Sequence, residues 1–504
     1  MSGGSELRVA VALRLGATEE WHRLCVDRMR ALRGVSVAGA IVFPALDTPL
    51  PASSDEGSRT VALEAIVGDL PTAAMNPNPA KSGSTDLGGL DAVDAIVDLS
   101  HADTDVWQRQ GRRFGVWRYG FGDGAPVAAG APGTLARLYR LSPDRERAVV
   151  LREGWYRAQT ADAPGTRSVL QRVAPWCARV LAQLREGDEG VVSAAPQPVA
   201  ECDEPRPRLR AAGWRQEAAG AFDRWVRRER WTIGILPVGI DELLQRGTLP
   251  EPRWIVGQPA DRYFADPFPL RRSGDCLQIL AEEYPYRTGR GRVAELDIGT
   301  DARLLGSRSR IASAEHASYP FVLRREGAMY CIPETAREGR VAAFACDSSE
   351  ADWKVHAQLL DGFPAVDSTL LERDGRWWLF CTHRDEENQT ELHVFSASDW
   401  LGPWRPHPRN PVKCDARSSR PGGACFIIDG EVYRPAQDCS RRYGGALAIN
   451  RILELSERQF REETVLTLRP SPNSAWPDGV HTINTLDTVT VIDGLRVERT
   501  RPRT

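Results

Sequence analysis

Lysine is almost missing from this chain. It stands only at Lys81, Lys354 and Lys413, so the basic charge is nearly all arginine. A GC-rich coding sequence accounts for that bias without any appeal to anion binding. No charge of either sign dominates: 65 basic side chains face 68 acidic ones, with a net charge of -3 and a pI of about 6.3. This excludes a whole-chain electrostatic grip on nucleic acid or on acidic membranes. There is no run of the roughly 18 apolar residues that a membrane span needs. The opening MSGGSELRVAVALRLGATEE has no basic stretch before its apolar residues, which Arg14 interrupts, so it reads as a first strand and not as a signal peptide. The ten cysteines contain no CxxC pair, and several sit in strand-like runs (CLQIL, YCIPE, LFCTH). Buried free thiols in a cytoplasmic protein are therefore expected, with no metal and no cofactor.

The 504 residues, 42% hydrophobic and 26% charged, read as globular. They fall into two halves with different patterning. Residues 1–187 alternate strand and helix signals, which predicts an α/β layer with a mostly parallel sheet and helices on both faces. Strands are expected over Leu7–Leu13, Val35–Ala45, Val61–Leu70, Asp94–Leu99 and Ala148–Trp155, with helices over Thr18–Arg33 and Arg167–Leu184. Residues 188–230 read as a Pro- and charge-rich linker followed by one connecting helix. Residues 231–497 change class: short apolar runs are separated by glycine-containing turns. Five units begin at Asp266, Tyr319, Asp367, Arg420 and His481, spaced by 53, 48, 53 and 61 residues. A regular repeat of this length predicts an all-β five-bladed propeller, with residues 498–504 as a tail.

In such a blade the start of the first strand and the end of the second share one face. The unit starts are therefore expected to meet Glu282, Glu283, Glu334, His383, Arg434, Gln437 and Asp438 at one mouth of the channel, with His316 beside them. A ring of carboxylates, Arg, Gln and His suits a polar, polyhydroxy ligand. The competing reading is that Asp and His at strand starts only pin loops. Most of the tryptophans in this half (Trp353, Trp377, Trp378, Trp400, Trp404 and Trp476) read as blade packing.

The ordered string RYFADPF, SYPFV, IPE, VDSTL, GPW, RPGG, RPAQD, YGGAL and VHTIN resembles the N-terminal domain of plant glucosamine inositolphosphorylceramide transferases, over roughly residues 231–495. That domain is similar in turn to the five-bladed propellers of glycoside hydrolase family 43. The resemblance implies Asp266 as general base, Asp367 as the residue that tunes the acid, and His481 in the last blade. The family's general-acid glutamate would fall at Arg420, and arginine cannot give up a proton at neutral pH. Glu334, on the same face, is the expected substitute. Tyr319, Glu283, His316, His383, Arg420, Arg434, Gln437, Asp438 and His481 are expected to bind hydroxyls or an anionic substituent. The N-terminal half resembles the formyltransferase fold through its strand–helix–strand opening, VDAIVDLS, and FGVWRYGFGD followed by YRLSPDRERAVVL. Asp144 matches that family's aspartate, but its Asn and His are missing, since the half holds only His22 and His101. A folate is therefore not expected. Three functions follow: a carbohydrate-active enzyme, a non-catalytic glycan-binding module serving a partner glycosyltransferase, and a formyltransferase acting on an amino sugar.

Overall fold

The computed structural model describes residues 6–43, 61–74, 92–100, 112–123, 133–142, 147–157, 169–198, 227–311, 313, 315–346, 352–385 and 388–499. Two compact units emerge, Met1–Gly220 and Ala221–Thr504.

In the first unit, β1 (Leu7–Arg14), β2 (Val35–Phe43), β3 (Thr72–Ala74), β4 (Ala95–Asp98) and β5 (Gly115–Asp123) run parallel in the order β3-β2-β1-β4-β5. The run Val9–Leu13 is fully buried, as a parallel strand covered on both faces should be. β6 (Gly133–Leu141), β7 (Arg147–Arg157) and the short β8 (Gln197–Pro198) then continue as an antiparallel meander. The first described helix (Glu20–Arg30) starts with a reciprocal cap between Glu19 and His22, and it buries Trp21, Cys25, Val26 and Met29.

Several expectations for this half need correction. The five parallel strands continue into an antiparallel meander, and the described residues are mostly strand, so a formyltransferase-like α/β domain is not supported. The decisive segment is GVWRYGFGD, which the formyltransferase resemblance puts in a loop; it is strand β5. In β6, Thr134, Ala136 and Leu138 are buried while Gly133, Leu135 and Arg137 are partly exposed. That period of two marks an antiparallel strand with one wetter face. Within Val61–Leu70 the segment Leu63–Val67 is helical, ended by Gly68 at a φ of 54°. The described part of the stretch expected as one helix holds two, Val169–Val173 and Trp176–Arg185, divided at Pro175. Asp144 and His101 lie outside the described residues.

The second unit is a propeller-like ring of antiparallel sheets. Sheet I runs Arg262–Ser273, Cys276–Pro285, Arg292–Gly299 and Leu304–Ser309. Sheet II runs Ser318–Arg325, Ala328–Glu334, Arg340–Ala345 and Lys354–Asp361. Sheet III is the antiparallel set Ala365–Arg373, Arg376–His383 and Glu391–Ala397 with Arg405–Pro406. Sheet IV runs Phe426–Ile428, Glu431–Asp438, Ala446–Leu455 and Phe460–Leu468. Sheet V joins Ile483–Leu486 and Val489–Arg499 to Arg227–Leu236 and Arg253–Trp254, so the two ends of the unit share one sheet. Such sharing removes an open edge. Arg227–Trp231 is therefore strand, where the sequence suggested the end of a connecting helix.

The hairpin turns follow their chemistry. Asp374 and Gly375, both with φ above zero (54° and 69°), make the tight turn of sheet III. In sheet V the turn is at Asp487, with a φ of 53°. Asp493–Gly494, which reads like a turn in the sequence, lies inside a strand. Trp353, Trp377, Trp378 and Trp400 are buried packing residues, as expected.

The inner strands are tied directly to one another. Tyr319 N–H donates to Asp266 Oδ2 at 3.1 Å, joining sheets I and II. The Tyr319 hydroxyl lies 2.9 Å from Thr369 Oγ1 and accepts the Gly423 N–H at 2.7 Å, reaching sheet III and the segment leading into sheet IV. Asn484 accepts from Ala424 N–H and donates to the Pro267 carbonyl, closing the circuit. A Cβ on Gly423 would stand 1.9 Å from the Ile483 carbonyl oxygen, so only glycine permits this approach.

Candidate functional site

The first strands of sheets I, II and III each carry an irregularity at the same register. The ladder breaks at Ala265/Phe268, Ser318/Phe321 and Val366/Thr369. At each break one residue takes a left-handed backbone: Asp266 (φ 51°), Tyr319 (φ 42°) and Asp367 (φ 53°). Such conformations cost non-glycine residues about 1–3 kcal/mol and cluster where function fixes a side chain. Ala265 pairs with Glu282 and Ser318 with Glu334, so these two glutamates hold equivalent places on the second strands of sheets I and II.

Asp266 is buried. Its Oδ1 accepts the Thr482 hydroxyl at 2.8 Å and stands 3.3 Å from His481 Nε2. His481 Nδ1 in turn lies 2.6 Å from Asp493 Oδ2, and its ring packs on Trp231 with centroids 4.1 Å apart. Asp493 also accepts the backbone N–H of His481, Thr482 and Asp266. Burial alone would lower the His481 pKa, but Asp493 and Asp266 override it and raise it to about 9. The imidazolium therefore bridges two carboxylates. Burial, together with Asp367 and Asp493, raises the Asp266 pKa to about 6 against the pull of His481.

Asp367 is also buried but has different partners. Its Oδ2 accepts from Arg420 Nε at 2.7 Å and from Gln437 Nε2 at 2.8 Å. Gln437 Nε2 also donates to the Pro421 carbonyl, which fixes the amide orientation and leaves its buried Oε1 without a partner among the described residues. Glu334, partly exposed, lies near enough to Asp367 to feel its charge. Burial and then the charge of Asp367 raise its pKa to about 8, although Arg420 opposes them. The negative charge of Asp367 disfavours ionisation of Glu334, so the glutamate keeps its proton to higher pH.

Glu282 completes the group. Burial, followed by the charges of Asp266, Glu334, Asp367 and Asp493, holds its pKa well above the usual carboxylate range. Its Oε1 lies 3.7 Å from His316 Nε2. His316 accepts the Gly291 N–H at Nδ1 (2.9 Å) and is kept neutral by burial and by Arg337, with a pKa lowered to about 4. Asp266, Asp493 and His481 bring ligand-type atoms within 4.8 Å of one another, a donor set that a cation could use. In this structure the same atoms pair with each other across the imidazole.

Not every expected residue belongs here. Glu283 points to Arg262 and Arg292, which lower its pKa despite its burial; it is a structural ion pair, because neighbouring strand residues take opposite faces. Arg434 is fully buried against Glu462 at 2.6 Å and the carbonyls of Ser418 and Ser419. Asp438 accepts from Arg469 and the Ser440 N–H. His383 packs edge-on to Phe363 and accepts the Asp385 N–H at Nδ1. Tyr319 spends its hydroxyl on Thr369 and Gly423 and ties the ring together. The structure adds residues the sequence reading missed. Besides Asp493 these are Tyr443, whose ring lies 4.9 Å from the Arg420 guanidinium and 5.3 Å from the His481 ring, and Tyr263, stacked on Tyr284 at 4.8 Å. A separate cavity, lined by Ile235, Pro237, Leu277, Thr300, Thr488 and Val489, opens at the hairpin ends of these strands and contains none of this group.

Among the described residues, no helix is long and apolar enough to cross a membrane. A family model described as glucosamine inositolphosphorylceramide transferase 1, N-terminal, matches residues 256–488. Among curated proteins, glucosamine inositolphosphorylceramide transferase 1 of Oryza sativa subsp. japonica is 34% identical over 217 residues, and that of Arabidopsis thaliana 32%. Each match spans 42% of this chain but only 28% of the relative's length. Similar solved structures include an exo-β-1,3-galactanase from Clostridium thermocellum, with 11% identity, a TM-score of 0.34, and 42% of this chain and 51% of that one covered. A family 117 glycoside hydrolase from Zobellia galactanivorans gives 12% identity, a TM-score of 0.33 and coverage of 47% and 85%. At these scores the solved structures assign no residue a role.

Proposed function

We propose that the C-terminal unit binds a glycan or glycoconjugate at the mouth lined by Asp266, Glu282, Glu334, Asp367, Arg420 and His481, and that it processes that ligand by acid–base chemistry. Sheets I to V are then five blades of one propeller, with sheet III as the third. The observation that carries this reading is geometric: two aspartates hold the same left-handed place on two inner strands but face different partners, Asp266 beside His481 and Asp367 beside Arg420 and Gln437. Between about pH 6 and pH 8, Asp266 is ionised and Glu334 holds its proton. A base and an acid that coexist near neutrality are what cleavage or transfer of a glycosidic bond requires. Asp266 would take a proton from the attacking hydroxyl or water. Glu334 would give one to the leaving oxygen, and Asp367 would keep that proton in place. Gln437 Oε1 offers an acceptor for a sugar hydroxyl. The partial match to plant transferases supports a carbohydrate ligand and a link to glycosyl transfer.

A second reading is a binding module that presents a glycan to a partner glycosyltransferase. Arg420, standing where the family-43 acid would be, favours it. A panel of glycosides tests the two, using released reducing sugar for turnover and calorimetry for affinity. Loss of turnover with retained affinity in Glu334→Gln is the expected result. Binding without turnover in the parent protein leaves the module.

A further inference from the structure

Arg420 is only 8% exposed, yet its guanidinium is only partly used. Nε donates to Asp367, and Tyr443 covers the planar face. Among the described residues, neither Nη1 nor Nη2 makes a hydrogen bond to the protein. Arg434, in sheet IV, provides the contrast: it is fully buried, and its Nε, Nη1 and Nη2 all find acceptors on Glu462, Ser418 and Ser419. Neither nitrogen is among the fully buried atoms that lack a partner, so both reach solvent and can donate to an incoming group. Two amino groups on one planar fork match the paired oxygens of a carboxylate, sulfate or phosphate.

We infer that Arg420 receives an oxyanion substituent of the sugar, such as the carboxylate of a uronic acid or a sulfate or phosphate ester, through Nη1 and Nη2. This rests on the carbohydrate reading above. The surroundings suit such a group. Asp367, the nearest carboxylate, already engages Nε and Gln437. Glu334 retains a proton near neutrality and presents a donor rather than a second negative charge. Arg337 is exposed, and its positive charge acts on His316 and Tyr284. A neutral sugar would leave both Arg420 amino groups with hydroxyl oxygens at best.

The test compares matched pairs by calorimetry on the full chain at pH 7: D-glucuronate with D-glucose, D-galacturonate with D-galactose, and D-galactose 6-sulfate with D-galactose, with inorganic phosphate as a further probe. In at least one pair the anionic sugar is expected to bind about tenfold tighter or more, equivalent to about 1.4 kcal/mol. Which pair responds tells carboxylate from sulfate. Arg420→Lys keeps the charge beside Asp367 but removes the fork, and the anionic-to-neutral preference is expected to fall towards one. The parent protein needs no variant for the first comparison. Equal or weaker binding of the anionic sugar in every pair overturns the inference and leaves the carbohydrate reading standing. Phosphate binding as tightly as the best sugar overturns the inference, because the sugar then contributes nothing. No binding by any sugar overturns both.

Discussion

Asp266 and Asp367 occupy the same place in the repeat, with the same left-handed backbone and the same break in the ladder, yet their chemistry diverges. Asp266 faces an imidazolium that a second aspartate holds charged, and it stays ionised above about pH 6. Asp367 faces an arginine and an amide, and it spends its charge on keeping Glu334 protonated to about pH 8. The lesson is that a repeat fixes where a carboxyl group stands, while its neighbours decide whether it accepts or lends a proton.

The largest expected effect comes from removing one side at a time. Asp266→Asn is expected to lower turnover of a responsive glycoside by about 10²–10⁴-fold at any pH, because the base is gone. Asp367→Asn removes the charge that holds the Glu334 proton, so its alkaline limb is expected to shift to lower pH, with a smaller loss at pH 6. Equal losses with unshifted limbs in both variants would mean that the two aspartates do the same work.

In the parent protein the rate is expected to be bell-shaped in pH. It falls as pH drops through about 6, where Asp266 takes up a proton, and as pH rises through about 8, where Glu334 loses one. Steady-state rates from pH 4.5 to about 10 check this, since the limbs of kcat/KM report the free protein's groups.

Tyr319 sits between the two sides and belongs to neither. Tyr319→Phe strands the buried Gly423 N–H and is expected to cost about 1–3 kcal/mol in chemical denaturation, while both pH limbs stay where they are. A moved limb would make its hydroxyl part of the proton chemistry.

Stability should follow the same groups. The folded-state pKa of Glu334 lies above its ordinary value, as does that of His481. Both contributions are complete at pH values below the unfolded pKa and are lost as pH rises through about 8 and 9. Glu334→Gln is therefore expected to stabilise the protein at pH 9 by about 1–2 kcal/mol, after allowance for solvent screening, and to change little at pH 4. Melting curves at the two pH values measure it; no gain at pH 9 would place Glu334 in a less crowded setting.

The repeat made the C-terminal unit legible, because a polar residue at the start of each inner strand stands out against Val, Ile and Leu. Asp266 and Asp367 do stand on inner strands, whereas Arg420 and His481 lie just ahead of the first strands of sheets IV and V. Asp493 could not be placed from the sequence, because Asp–Gly is ordinary turn chemistry and only the pairing of Thr490–Arg499 with Arg227–Leu236 puts it inside a strand. Arg434 and Glu283 illustrate the opposite difficulty: a buried ion pair and a ligand-binding charge look alike in sequence until the partner is known. In the N-terminal unit, arginines on the wetter face of β6 and the glycines of β5 hid two antiparallel strands behind a loop-like composition.

The central claim is that Asp266 and Glu334 hold opposite protonation states near neutrality, and it can be measured without any substrate. Carboxyl ¹³C NMR of protein labelled at Asp and Glu side chains, titrated from pH 3 to about 10, should show one resonance with a midpoint near 6 that Asp266→Asn removes. A second, with a midpoint near 8, should disappear in Glu334→Gln. Both groups titrating together near pH 4, the ordinary carboxylate range, would contradict the account.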